Sequence, residues 1–156
     1  MKPNTKIYGA YGSNMNLEQM KKRCPNAKVI GTCILKDYKL TFRGNYRGVA
    51  NIEPCDGRNI PIVLWRITSK CENALDIYEG FPTLYIKKQV KVGKALQEVM
   101  VYIMAEEFAN IPAEPTEYYF NVIARGYIDN NINIKPLQIA YSECLSEING
   151  GQYDKG

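Results

Sequence analysis

The sequence contains no histidine. Proton transfer or nucleophilic attack must therefore fall to carboxylates, tyrosines, lysines or backbone groups, and Ser-His pairs, Cys-His pairs and histidine metal sites are excluded. Two short segments hold suitable residue types. In Tyr8-Gly9-Ala10-Tyr11-Gly12-Ser13-Asn14-Met15, a strand-like run enters a glycine-containing turn and then a helix start. Successive N–H groups in such a turn form a concave anion site, helped by the positive end of the following helix. That site suits a carboxylate, or an oxyanion developing on an amide carbonyl. The same spacing also fits a tight turn with an Asn cap.

In Leu75-Asp76-Ile77-Tyr78-Glu79-Gly80-Phe81-Pro82, a helical pattern ends against Gly80 and Pro82. Glu79 falls at the negative end of the helix, where a carboxylate is disfavoured, and any burial pushes its pKa further up, as a general base requires. An exposed glutamate at a frayed helix end would look identical in sequence. Asp76, one turn earlier, either shares that face or is a solvated helix charge. Among the twelve tyrosines, Tyr85, Tyr102, Tyr119 and Tyr141 lie in predicted strands or helices where a buried ring could aim its hydroxyl into a polar pocket; singly, each also reads as core filling. Arg43, Arg47 and Arg66 are candidate carboxylate clamps, which spacing alone does not separate from surface charges.

The elements that must position these residues are short and β-rich. Strands are predicted over 6–10, 28–35, 38–42, 49–53, 60–67, 85–92 and 97–104. Helices are predicted over 16–23, opened by Asn16 with Gln19 in support, and over 69–78, with Ser69 and Glu72 in capping-box spacing. Two more are predicted, over 116–124 after Pro115 and over 136–147. In the latter Leu137, Ala140, Tyr141, Cys144, Leu145 and Ile148 share a face. Many short strands with few helices imply an α+β fold whose sheet is curled or closed.

With 156 residues, 46% hydrophobic and 23% charged, the chain suits a single domain with one core. The net charge of +4 is modest, and the basic residues are scattered, which argues against nucleic acid as a partner. Five cysteines without a C-x-x-C pair read as reduced, mostly buried thiols, with neither a disulfide framework nor a zinc site. No apolar stretch reaches the ~20 residues of a membrane span, and residues 1–8 lack the apolar core of a signal peptide. The expected compartment is the cytoplasm.

The motifs, in order, resemble one known family. Ala10-Tyr11-Gly12-Ser13-Asn14-Met15 is similar to the Y-G-S-N-[LM] signature of the γ-glutamylcyclotransferase and AIG2-like proteins. Residues 48–54 resemble the family's G-x-A-x-I strand and residues 62–67 its G-V-V-W-like strand. Residues 75–80 resemble its L-D-x-x-E-G segment, residues 85–92 its Y-x-x-x-x-V strand, and residues 115–126 its P-x-x-x-Y helix. The likeness runs from about Ile7 to Glu147.

This resemblance implies a small mixed β-barrel decorated by a few helices, forming a single domain over 1–156 with its core at about 6–148. It places the catalytic glutamate at Glu79. It assigns substrate contact to Tyr11, Gly12, Ser13, Asn14 and Met15, and to Tyr85, Tyr102 and Tyr119. The implied reaction converts a γ-glutamyl amino acid or amine to 5-oxoproline and a free amine, with a small-molecule substrate and no metal or organic cofactor; some family members form homodimers. Two alternatives stand beside it: a non-catalytic ligand-binding module on the same fold, and an amidohydrolase that releases glutamate by water attack.

Overall fold

A computed structural model describes residues 4–153, so the outer ends of the expected domain, residues 1–3 and 154–156, lie outside the described residues. The fold is built on β1 (Thr5–Ala10), which pairs on one edge with β3 (Val49–Thr68) antiparallel and on the other with β5 (Gln97–Met104) parallel. The segment carrying Tyr11 to Met15 therefore leaves a strand held from both sides. Outside these three, β2 (Lys28–Arg43) pairs with β3 and β4 (Tyr85–Val92) with β5, both antiparallel, giving the order β2-β3-β1-β5-β4. The central strands read as near-continuous apolar runs because both faces are covered: residues 60–65 of β3 and 99–102 of β5 are buried throughout.

The barrel expected from the sequence is an open five-stranded sheet instead. Its outer strands curl towards each other until the Lys88 ammonium of β4 lies 5.8 Å from the Tyr38 ring centre of β2, and no hydrogen-bonded ladder joins them. The four strands expected over 28–67 are two long ones. What the sequence shows as breaks is an irregularity: Lys36 pairs with Asn59 and Tyr38 with Pro54, so Asp37 stands opposite residues 55–58. Asp37 takes a left-handed conformation and accepts a hydrogen bond from Gly57 N–H at 2.9 Å.

Helix α1 (Leu17–Arg23) follows a 3-10 turn over Ser13–Met15, and its cap is the expected one, with the Asn16 side chain accepting from Gln19 N–H. Helix α2 (Ser69–Glu79) is capped by Thr68, one residue earlier than expected, because the Thr68 hydroxyl accepts from Cys71 N–H. Next come the unforeseen short helix α3 (Glu106–Ala109), α4 (Glu117–Asp129) and α5 (Lys135–Tyr153). Leu137, Ala140 and Cys144 of α5 are buried on the expected face. Among the described residues, no helix is long and apolar enough to cross a membrane.

The thiol expectation needs one correction. Cys24, just past α1, and Cys71, in the first turn of α2, form a disulfide across a sequence separation of 47. Sequence spacing gave no sign of it, because the two cysteines meet only when α1 and α2 pack together. Cys33, Cys55 and Cys144 are free.

Candidate active site

At the end of α2, Gly80 adopts a left-handed conformation with φ 66°. Gly80 N–H bonds to Ile77 O at 3.2 Å and Phe81 N–H to Asp76 O at 2.9 Å, the two bonds of a Schellman closure. The helix thus stops sharply at Glu79 and directs its carboxyl end back towards β1. The 3-10 turn supplies the facing wall. Asn14 Nδ2 donates to the Tyr8 hydroxyl at 3.0 Å and reaches Glu79 Oε1 at 3.4 Å, while Trp65 of β3 donates its indole N–H to Asn14 O at 3.0 Å. The Ser13 and Tyr78 hydroxyls are 3.1 Å apart.

Between these walls lies a cavity of about 200 Å³. Tyr11, Gly12, Ser13, Asn14, Glu79, Tyr85, Tyr102 and Tyr119 all line it, which brings together eight of the nine residues expected at the site. Met15 is not among the lining residues. Its side chain is fully buried beneath α4, where Gly126 lets the helix come so close that an added Cβ would sit 2.8 Å from Met15 Cβ.

The tyrosines are held by hydrogen bonds to backbone and side chains. Tyr11 donates to Tyr102 O at 2.5 Å and Tyr85 to Ala50 O at 2.5 Å, while the Tyr119 hydroxyl accepts from Ala50 N–H at 3.0 Å. Tyr102 donates to Asp76 at 2.6 Å. Asp76 is thereby committed to Tyr102 and to Lys87 at 3.0 Å, and does not line the cavity.

The remaining candidates have structural partners elsewhere. Arg43 clamps the protein's own carboxylates, Glu53 at 2.8 Å and Glu147 at 2.9 Å, tying the β2-β3 hairpin to α5. Arg66 donates to Thr5 at 3.3 Å, Arg47 lies near the Tyr46 ring, and Tyr141 donates to Glu114 at 3.2 Å.

Residues that sequence reasoning passed over complete the lining: Tyr8, Tyr78, Val49, Ala50 and Leu84. Arg23, behind the wall, was passed over too. The nearest sequence signals were Tyr8 at the head of the strand-turn motif and Tyr78 beside Glu79.

The electrostatics single out one group. Burial in the cavity wall raises the Glu79 carboxyl to about 7, with the nearby Arg23 charge pulling in the opposite direction. Burial also pushes the hydroxyls of Tyr8, Tyr11, Tyr85, Tyr102 and Tyr119 well above their usual range, and the Glu79 charge adds to each shift. These five tyrosines are neutral hydrogen-bonding groups at physiological pH. Glu79 can gain or lose a proton there, as an acid–base group must.

Comparison with known proteins bears on the family and the fold. The family model described as gamma-glutamyl cyclotransferase, AIG2-like, matches residues 8–121. The chain is 30% identical over 163 residues to the gamma-glutamylcyclotransferase of Mus musculus, covering 96% of this chain and 81% of that protein. It is 29% identical over 160 residues to the gamma-glutamylcyclotransferase of Homo sapiens, covering 94% and 80%. A solved structure titled gamma-glutamyl cyclotransferase superposes with a TM-score of 0.76 at 26% identity, covering 88% of this chain and 86% of that one. By the extent of these matches and by its fold, the chain belongs to the gamma-glutamyl cyclotransferase, AIG2-like family.

Proposed function

We propose that the protein cleaves γ-glutamyl amino acids or amines by internal cyclisation, releasing 5-oxoproline and a free amine, with Glu79 as the proton-transfer group. One observation carries the assignment of Glu79. In a cavity otherwise lined by hydroxyls, the Asn14 amide, apolar groups and backbone, its carboxyl is raised to about 7.

A γ-glutamyl substrate holds its nucleophile, the α-amine, within five-membered-ring reach of its electrophile, the γ-carbonyl. The protein has to fold the substrate into that ring and move protons. Glu79 takes a proton from the ammonium, freeing the lone pair for attack, and the N–C bond forms as the carbonyl π pair moves to oxygen. The tetrahedral oxyanion then collapses, the bond to the leaving nitrogen breaks, and Glu79 returns the proton to that nitrogen; the ring nitrogen, left with two hydrogens, gives up its surplus proton to the departing amine, which leaves as an ammonium ion. Backbone N–H groups at Gly12 to Asn14 and the hydroxyls of Tyr8 and Tyr119, which accept hydrogen bonds and keep their own protons, are the donors available to the oxyanion and the α-carboxylate. Ser13 acts as a loop residue and not as a nucleophile in this scheme.

The test is incubation of the purified protein with a panel of γ-glutamyl amino acids and γ-glutamyl amines, with products read by mass spectrometry. The expected result is 5-oxoproline from the parent, and a loss of about 10²-fold or more in Glu79→Gln with ligand binding retained. Free glutamate as the product would establish hydrolysis instead, binding without turnover would leave a ligand-binding module, and parental turnover by the variant would remove Glu79 from the mechanism.

A further inference from the structure

Arg23 lies outside the cavity lining, yet its contacts converge on the groups that form it. As the last residue of α1, it donates from Nη1 to Asn14 Oδ1 and from Nη2 to Gln19 Oε1 at 2.9 Å. Its guanidinium carbon lies 3.5 Å from the centre of the Tyr78 ring. The plane of the cation is thereby fixed on two sides, by a fork of hydrogen bonds and by an aromatic face.

The consequence for Asn14 is directional. With Oδ1 held by the guanidinium, the amide must present its NH2 group to the Tyr8 hydroxyl and to Glu79 Oε1. A flipped amide would set its oxygen against the carboxylate and its NH2 against the cation, both repulsive. The Cys24–Cys71 disulfide begins one residue beyond Arg23 and joins α1 to the first turn of α2, the helix that ends in Tyr78 and Glu79.

We propose that Arg23 is a positioning residue for the reaction: it locks the Asn14 amide with its donors towards Glu79 and sets a positive charge behind that carboxylate. The proposal rests on the cyclotransferase reading for its link to turnover, whereas the coupling of Arg23 to Glu79 stands apart from it. Burial raises the Glu79 carboxyl, and Arg23 is the cation that opposes the rise. The other groups facing Glu79 do not supply that charge. Tyr8 of β1, Tyr11 of the loop, Tyr85 of β4, Tyr102 of β5 and Tyr119 of α4 are held neutral by burial; Tyr78 precedes Glu79 on α2, and Asp76 is paired with Lys87.

The experiment compares the parent, Arg23→Gln and Arg23→Lys in full pH profiles of 5-oxoproline release from γ-glutamyl-alanine, alongside a 13C NMR titration of the Glu79 side-chain carboxyl. In Arg23→Gln the acidic limb of kcat/KM moves to higher pH by about 1 unit, with a matching displacement of the carboxyl titration. Turnover at neutral pH falls about tenfold and partly recovers in alkali. Arg23→Lys restores the position of the limb but not the full plateau, because an ammonium supplies the charge without the fork. If the parent releases no 5-oxoproline while the carboxyl titration still moves, the cyclotransferase reading fails and the coupling of Arg23 to Glu79 survives. A carboxyl titration that stays in place in Arg23→Gln overturns the proposal whatever the activity, as does an equal loss of turnover at every pH.

Discussion

Gly12 matters for the space it leaves. A Cβ added there would lie 3.1 Å from Ala50 Cβ and 3.6 Å from the Tyr119 hydroxyl. Ala50 cannot readily withdraw, since tyrosine hydroxyls engage both its N–H and its C=O. Gly12→Ala is therefore expected to lower kcat/KM by about 10²-fold through misplacement of the loop, while the melting temperature changes little; assay and thermal melt on one preparation check both. Parental turnover in this variant would show that the loop tolerates the extra methyl. At this scale the sequence was most legible where several motifs fall in family order: the Gly12-Ser13-Asn14 turn and Glu79 ahead of Gly80 each have a bland reading by residue type alone, and the resemblance separates them from it. Arg23 was illegible because its contacts with Asn14 and Tyr78 exist only after α1 and α2 are packed. Met15 was read with its loop neighbours, yet the absent side chain at Gly126, more than a hundred positions away, draws it into the core.

Among the elements, α2 has the most exacting end, because its last residue must enter the cavity. Gly80 is left-handed with φ 66°, and its closure fixes where the helix stops. Gly80→Ala places a Cβ in that conformation at a cost of about 1–2 kcal/mol, so a lowered melting temperature is expected together with a fall in kcat as Glu79 loses its direction. An unchanged melt would mean that the helix end relaxes without strain. The strand boundaries 85–92 and 97–104 were legible because alternation and turn residues delimit them locally. The continuity of β2 and β3 was not, since Asp37 and residues 55–58 carry turn residues within what remains one hairpin. Sheet closure was not legible either. The number of hydrogen-bonded neighbours of β2 and β4 depends on curvature across the whole sheet, and no single strand encodes it.

For the whole molecule, Glu79 and the paired surface carboxylates drive stability in opposite directions with pH. Burial raises Glu79 from 4.5 to about 7 in the folded state. Between those values the folded protein keeps a proton that the unfolded chain has released, so stability falls as pH rises through this window and levels off above it. Glu72 behaves in the reverse sense: burial pushes its carboxyl up, but hydrogen bonds from Lys6 and Lys87 outweigh burial and hold it below its usual value. The Arg58 hydrogen bond likewise lowers Glu143. Their contribution is complete above the ordinary carboxylate range and is lost as pH falls through their lowered values. Together these three carboxyls favour the fold most on the acid side of neutrality, where the ionised Glu79 needed to accept a proton is scarce. Melting temperature is expected to decline between about pH 5 and about pH 8 in the parent, whereas Glu79→Gln, with no proton to lose, shows little of that decline. At the alkaline end the variant should be the more stable by up to about 3 kcal/mol, although it turns over poorly. Thermal melts of both proteins across this range decide the matter: parallel declines would place the pH dependence on other groups, while divergence with rising pH would show that the fold sustains an unfavourable carboxylate at the position where proton transfer requires one.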